Sequence, residues 1–296
     1  MIEFQSASKN FGPIEALAPL DLEIRDGEWL GIFGRNGSGK TTLLRMLVGL
    51  SPPSSGRIQI DGKAPGPEEW RQFRRSLGFM PERVSLFDNL TGEKTLRYFA
   101  RLKQVDQAEV MPILEQVGLA DAAHRKTSEY SKGMRQRLNL AQALLGDPKF
   151  LVLDEPIEGL DAHGVRDLFE LLKSVAGRTV VFSSHRLPLI SRVVTRICIL
   201  SKGKVKALGT EDELYEQVNL PVRVVIRPLQ SAHETLAAAV EKIDSASLVS
   251  QNGRLVVSVP QKDKLQFLSD LQALGSEMHD IRIEEPSLEE VLLETS

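Results

Sequence analysis

The sequence predicts an α/β domain with an N-terminal β-subdomain and a helical insertion, followed by a small α+β domain of ferredoxin-like order. Three observations carry this. WLGIF, GRNGSGKTT and LLRMLVGL follow one another as apolar strand, Gly-rich loop and helix. Strand–helix alternation stops over residues 85–150, where three helical patterns run together, and resumes at Phe150. After residue 217 the order becomes strand, helix, strand, strand, helix, strand.

Each element has its own justification. IEF, LDLEI, WLGIF and GRIQIDG are short apolar runs bounded by turn residues, which is a strand signal. TGEKTLRYFARLKQ, EVMPILEQVGL and MRQRLNLAQALLG carry apolar residues at helical spacing. FLVLDEP, DLFELLKSVA, TVVFSSH and ICILSKGKV return to strand and helix in alternation. The expected division is therefore residues 1–217, with the insertion at 85–150, and residues 218–296. In the second part VRVVI reads as a strand, SAHETLAAAVEKI as a helix, and ASLVSQNGRLVVSV as a hairpin turning at Asn252-Gly253. Asn-Gly suits the positive φ angles of a two-residue turn. KDKLQFLSDLQAL and DIRIEE complete the pattern.

Composition narrows the function. The 296 residues are 42% hydrophobic, enough for a sizeable core, and 37 basic against 40 acidic residues leave a net charge of −3. That balance gives no general attraction to nucleic acid. A single cysteine, Cys198, excludes a disulfide framework and suits a reducing compartment. The chain has no 18-residue apolar run and no N-terminal signal pattern, so the expectation is a cytoplasmic protein that reaches a membrane only through a partner.

Residues Gly34–Thr41 fit G-x-x-x-x-G-K-S/T without mismatch. In that pattern the glycines let backbone N–H groups curl around phosphate oxygens, and the following helix points its positive end at them. Gly34, Asn36, Gly37, Ser38 and Gly39 form the cradle. Lys40 reaches the β- and γ-phosphates, Thr41 offers a hydroxyl to Mg²⁺, and Thr42 bonds the α-phosphate. LVLDE, residues 151–155, supplies the expected partner, an apolar strand ending in carboxylates. Asp154 is the candidate Mg²⁺ ligand, and Glu155 the group that orients or deprotonates the attacking water.

A second phosphate site is suggested by YSKGMRQR, residues 130–137. Met134, Leu138, Ala141, Leu144 and Leu145 form a buried stripe, so Ser131 stands where a helix begins and free N–H groups accumulate. The alternative is a plain N-cap serine.

The set GRNGSGKTT, YSKGMRQR, LVLDEP, GLDA and SSH resembles the ATP-binding subunit of ABC transporters, whose fold is a P-loop NTPase. The resemblance covers residues 1 to about 217. It implies ATP and Mg²⁺ as cofactors and a head-to-tail homodimer that sandwiches two nucleotides. Ser131 and Gly133 of one copy would then cover the γ-phosphate held by the other copy. Tyr130, Lys132 and Met134 depart from the family's Leu-Ser-Gly-Gly-Gln pattern. The resemblance further assigns adenine stacking to Phe11, γ-phosphate contact to His185 and a link between the two sites to Asp161. It assigns Mg²⁺ ligation to Glu82, where many members have glutamine. Residues 83–90 would dock a polytopic membrane permease on the inner face of the cell membrane.

A narrower likeness runs further along the chain. MPERVSLFDNLTGEKTLRYFARLK, EQVGLADAAHRKTSEYSKGMRQRLNLAQALLG, NLPVRV and DIRIEEPSLEEV are similar to the ATPase of the copper-processing transporter that helps mature nitrous oxide reductase. That likeness implies a periplasmic copper-handling partner reached through the permease. The five histidines lack ligand spacing and Cys198 stands alone, so no metal besides Mg²⁺ is expected in this chain. Two alternatives remain: the ATPase of a drug or ion exporter, and a soluble ABC-type ATPase acting on ribosomes or DNA. One phosphate loop, no long coiled-coil insertion and no basic charge argue against the latter.

Overall fold

A computed structural model describes residues 1–82, 86–173, 177–186, 189, 191, 193–218, 221–229, 232–240, 247–251, 253–272 and 274–285. The chain folds as two compact units, Met1–Thr210 and Glu211–Ser296.

The first unit holds two sheets. Strands β1 (Ile2–Phe11), β2 (Ile14–Ile24) and β4 (Ser55–Ile60) form an antiparallel sheet in the order β2-β1-β4. The larger sheet contains β3 (Trp29–Phe33), β5 (Leu77–Met80), β6 (Phe150–Leu153), β7 (Thr179–Ser184), β8 (Arg196–Ser201) and β9 (Lys204–Gly209). Its order is β5-β6-β7-β3-β8-β9, parallel except for β9. The central strands carry continuous apolar runs because both faces are covered; Leu30, Ile32, Leu151, Val152, Val180 and Val181 are all fully buried. One core joins the two sheets: Phe4, Leu17 and Leu22 pack with Leu30, Ile32 and Leu200 and with Leu43, Leu44 and Leu47 of helix α1 (Lys40–Leu47).

Helix α2 (Pro67–Ser76) is an element the sequence reading passed over, and none of its residues is fully buried. The three helical patterns of the insertion appear as α3 (Gly92–Lys103), α4 (Val110–Gln116) and α5 (Lys132–Leu144). Thr91 caps α3 by accepting from the Lys94 N–H, and Ser131 caps α5 by accepting from the Met134 N–H at 3.3 Å. Helix α6 (Ala162–Lys173) returns the chain toward β7. ICILSKGKV is not one strand but the tight hairpin of β8 and β9, whose turn residues Lys202 and Gly203 have φ of +48° and +76°.

The second unit begins with α7 (Glu211–Val218) and continues β10 (Val222–Pro228), α8 (His233–Val240), β11 (Ser247–Gln251), β12 (Arg254–Val259), α9 (Lys264–Gln272) and β13 (Met278–Glu284). The antiparallel sheet order is β11-β12-β10-β13, the arrangement of a ferredoxin-like β-α-β-β-α-β unit. Its core is Val224, Ile226, Val257 and Val259 against Leu236, Val240, Phe267 and Leu271. Gln251 pairs with Arg254 across a two-residue turn. Asn252, expected in that turn, and the chain after Glu285 lie outside the described residues.

Candidate functional site

The phosphate loop leaves β3 and is shaped by backbone that only glycine tolerates. Gly39 has φ of +107°, and a Cβ there would sit 2.7 Å from the Leu17 side chain and 2.8 Å from the Ala16 carbonyl. The loop closes on Lys40, whose ammonium donates to the Gly34 carbonyl at 2.8 Å and the Arg35 carbonyl at 3.4 Å. Ser38 Oγ is buried and has no hydrogen-bond partner. A buried orphan hydroxyl in a glycine-rich loop at a helix start is a cost unless an anion or water meets it. The loop therefore fits a phosphate.

Strand order explains how residues distant in sequence meet here. β6 and β7 are neighbours, and β3 lies on the other side of β7, so LVLDE, TVVFSSH and the phosphate loop open at one sheet edge. Asp154 and Glu155 are buried there at 2% and 6% exposure. Ser183 links them: its hydroxyl donates to Asp154 Oδ1 at 2.5 Å and accepts from the Glu155 N–H at 2.8 Å. Glu155 itself adopts φ of +47°, a conformation that costs a non-glycine residue about 1 kcal/mol and is held by its surroundings. The result is a carboxylate gripped at both ends. Oε1 lies 3.2 Å from Lys40 Nζ, and Oε2 lies 3.1 Å from His185 Nδ1. His185 Nε2 is in turn 3.5 Å from Glu158.

For a magnesium ion the oxygen donors are adjacent. Thr41 donates its hydroxyl to Asp154 Oδ1 at 3.4 Å, and Glu82 lines the same cleft. Hydroxyl and carboxylate oxygens are the donors that Mg²⁺ takes, alongside waters and phosphates. Glu155, Glu158 and His185 also converge within 4.8 Å, but one oxygen of Glu155 is already committed to the Lys40 cation.

Most of the expected residues fall into two groups, with Gly34, Asp154 and Phe11 lining neither cavity. Asn36 to Thr42, Glu82, Glu155 and His185 line one cleft of about 590 Å³, together with Ile14, Glu15, Ala16, Glu158, Lys202 and Gly203. Gly34 holds the Lys40 ammonium from behind. Ser131, Gly133 and Asp161 line a separate cavity of about 890 Å³. There the Asp161 carboxylate accepts from the Gly164 N–H at 2.8 Å and starts helix α6. Lys132 lies across Gly159, where a Cβ would meet its ammonium, and the φ of +70° there favours glycine. Phe11 ends β1, is 51% exposed, and has the Lys9 ammonium 5.2 Å from its ring. It does not line the cleft; Ile14, Glu15 and Ala16 of the same hairpin do.

Sequence reasoning missed Ser183, Glu158 and the strut residues of α5. Gln136 donates to the Pro156 carbonyl at 2.8 Å and Asn139 to the Pro81 carbonyl at 3.0 Å, fixing the loops that carry Glu155 and Glu82. A polar residue on the buried stripe of a helix is the signal that points to Asn139.

Residues 17–158 match the family model described as ABC transporter. The daunorubicin resistance ATP-binding protein DrrA3 of Streptomyces coeruleorubidus is 33% identical over 99% of this chain and 94% of its own length. The Nod factor export ATP-binding protein I of Burkholderia lata is 37% identical over 73% of this chain and 72% of its own. The dimeric, post-hydrolysis structure of the ATP-binding cassette MJ0796 with ADP and Pi superposes with a TM-score of 0.65, at 27% identity, over 71% of this chain and 98% of the other. The chain thus belongs to the ATP-binding subunits of ABC transporters and is an ATP-hydrolysing transport ATPase.

Proposed function

We propose that this chain powers export through a separate membrane permease, working as a homodimer whose two ATP sites are each built from both copies. The observation that carries the catalytic part is the buried Lys40–Glu155 pair beside the phosphate loop, with the exposed His185 on the other oxygen of Glu155. In this reading Lys40 leaves Glu155 for the β- and γ-phosphates, which frees the carboxylate to act on water. Bound Mg²⁺ would be held by Thr41, Asp154 and Glu82 and would neutralise developing phosphate charge. His185 and Ser38 face the γ-phosphate. Ser131, Gly133 and Asp161 of the other copy complete the site, which agrees with their lining a different cavity from Lys40. Phe11 and the Ile14–Ala16 segment flank the nucleobase. Export is supported by relatives described as a drug-resistance protein and an export protein, and no described helix is long and apolar enough to cross a membrane. The protein would sit on the cytoplasmic face, and nucleic acid has no part in its work.

A second reading keeps the same catalysis and gives the permease a copper-processing task in nitrous oxide reductase maturation, with a periplasmic copper-handling partner. The likeness of residues 80–103 and of the C-terminal segment favours it; residues 83–85 and 286–296 lie outside the described residues. In that case copper never touches this chain, whose single thiol, Cys198, is buried with its pKa pushed up to about 12 by desolvation. The test is co-purification from membranes with the Glu155→Gln variant and ATP. An exporter-type permease supports the first reading and a permease bound to a periplasmic copper protein the second. A chain that stays free of any membrane protein, or that sediments with ribosomes, overturns both.

A further inference from the structure

We propose that the outer edge of β13 is a docking surface for a second copy of this chain, joining two C-terminal sheets edge to edge about a two-fold axis at Ile281. β13 is the terminal strand of its sheet, and among the described residues no strand pairs with its far side. An open edge offers a row of backbone donors and acceptors to another strand. Six of its seven residues are exposed, whereas the strand beside it, β10, buries Val222, Val224 and Ile226.

The apolar pattern stops short at this edge. Ile281 pairs with Ile226 and Ile283 with Val224 across β10 and β13. Directly opposed residues point to the same face of a sheet, so both isoleucines lie on the face where the core is built. Yet Ile226 and Val224 are fully buried, while Ile281 is 39% and Ile283 43% exposed. The core continues outward by one strand and is left half covered there.

Charge selects a second β13 as the occupant. In a two-fold antiparallel pair, opposed residues share a face, so their numbers must sum to an even value. Three registers keep most of the seven-residue strand paired. Centred on Asp280, that carboxylate opposes its own copy. Centred on Arg282, the two guanidinium groups oppose each other and Asp280 meets Glu284 twice. Centred on Ile281, Asp280 opposes Arg282 of the second copy at both ends and Ile281 meets Ile281; the regular alternation that fixes these pairs runs from Asp280 to Glu284, because the register shifts between Met278 and Asp280. Only this last register has no like charges in opposition. Within one copy Asp280 and Arg282 already lie on the same face, 3.5 Å apart and 44% and 70% exposed. They are placed to exchange that weak pairing for two stronger ones across the axis. The strand is therefore complementary to itself.

The experiment uses the full-length protein without nucleotide and with EDTA, so that ATP-driven association is absent. Ile281→Cys places two thiols where opposed Cα atoms are about 5 Å apart, within disulfide reach; Cys198 is buried, so the wild type is a silent control. The expected result is a covalent dimer on mild oxidation. Adding Asp280→Arg or Arg282→Asp should cut its yield about tenfold, because two attractive pairs become two repulsive ones. Mixing the Asp280→Arg and Arg282→Asp chains should restore it, since every opposed pair is again of opposite sign. Absence of the covalent dimer, or a yield indifferent to these charges, overturns the proposal. A covalent dimer that forms only after removal of residues 286–296 overturns it too, because the edge would then be covered by the chain's own end.

Discussion

Replacing Glu155 with glutamine keeps the shape of the side chain and removes its charge, and three consequences can be sized. The carboxylate is buried, with Lys40 at 3.2 Å and His185 at 3.1 Å on separate oxygens. Losing a general base of this kind lowers kcat by about 10²- to 10⁴-fold. In the ligand-free protein Lys40 keeps only the Gly34 and Arg35 carbonyls as strong acceptors. A charge-assisted hydrogen bond is worth about 1.5–3 kcal/mol, so the melting temperature should fall by about 5 °C. ATP affinity should move the other way. The γ-phosphate no longer competes with a carboxylate for Lys40, nor is it repelled by one, and the same energy appears as about a tenfold or larger gain in affinity. Calorimetry with ATP, phosphate release and thermal melting read the three effects separately. Hydrolysis within threefold of wild type, or weaker ATP binding, would refute the assignment of Glu155.

Ser183→Ala removes the buried hydroxyl that joins Asp154 to the Glu155 N–H; stability should drop by about 2 kcal/mol and kcat with it, whereas an unchanged kcat would make Ser183 a packing residue only. Lys103, whose ammonium donates to the Leu145 carbonyl, is held down from its ordinary 10.5 to about 8 by desolvation, against the favourable charge of Glu109. The unfolded chain therefore holds this proton more tightly, and the burial penalty is present in full below pH 8 and lifts as pH rises toward 10.5. Wild type should gain up to about 3 kcal/mol on the Lys103→Met variant between pH 7.5 and 10.5; a difference that stays flat over that range contradicts it. Gly159→Ala should displace Lys132 from the loop that leads to Asp161, lowering kcat more than ATP affinity; equal activity would mean the loop adjusts freely.

Legibility in the sequence followed the range of the interactions. The phosphate loop was readable because eight consecutive residues dictate one backbone path, and LVLDE because an apolar run ends in two carboxylates. The second unit's order was readable from alternation and from Asn252-Gly253. Helix α2 escaped because no residue of PEEWRQFRRS is fully buried and the charged residues hide its one-sided pattern. Ser183 escaped for the opposite reason: its partners lie 28 and 29 residues away and meet it only because β6 and β7 are neighbours. Phe11 is a weaker signal than a motif, because a single aromatic residue carries no local pattern and its place beside Ile14, Glu15 and Ala16, which line the cleft, is set by the β1–β2 hairpin. The hairpin at Lys202-Gly203 was passed over because two short apolar stretches on either side of it read as one.

A site shared between copies requires the phosphate loop of one to meet the α5 start of the other. Lys40→Ala disables the first and Ser131→Arg the second. Each variant alone should be inactive, and an equimolar mixture should recover roughly a quarter of wild-type hydrolysis, because half the dimers are mixed and each holds one intact composite site. No recovery on mixing, or full activity of Ser131→Arg alone at saturating ATP, would contradict a site shared between copies.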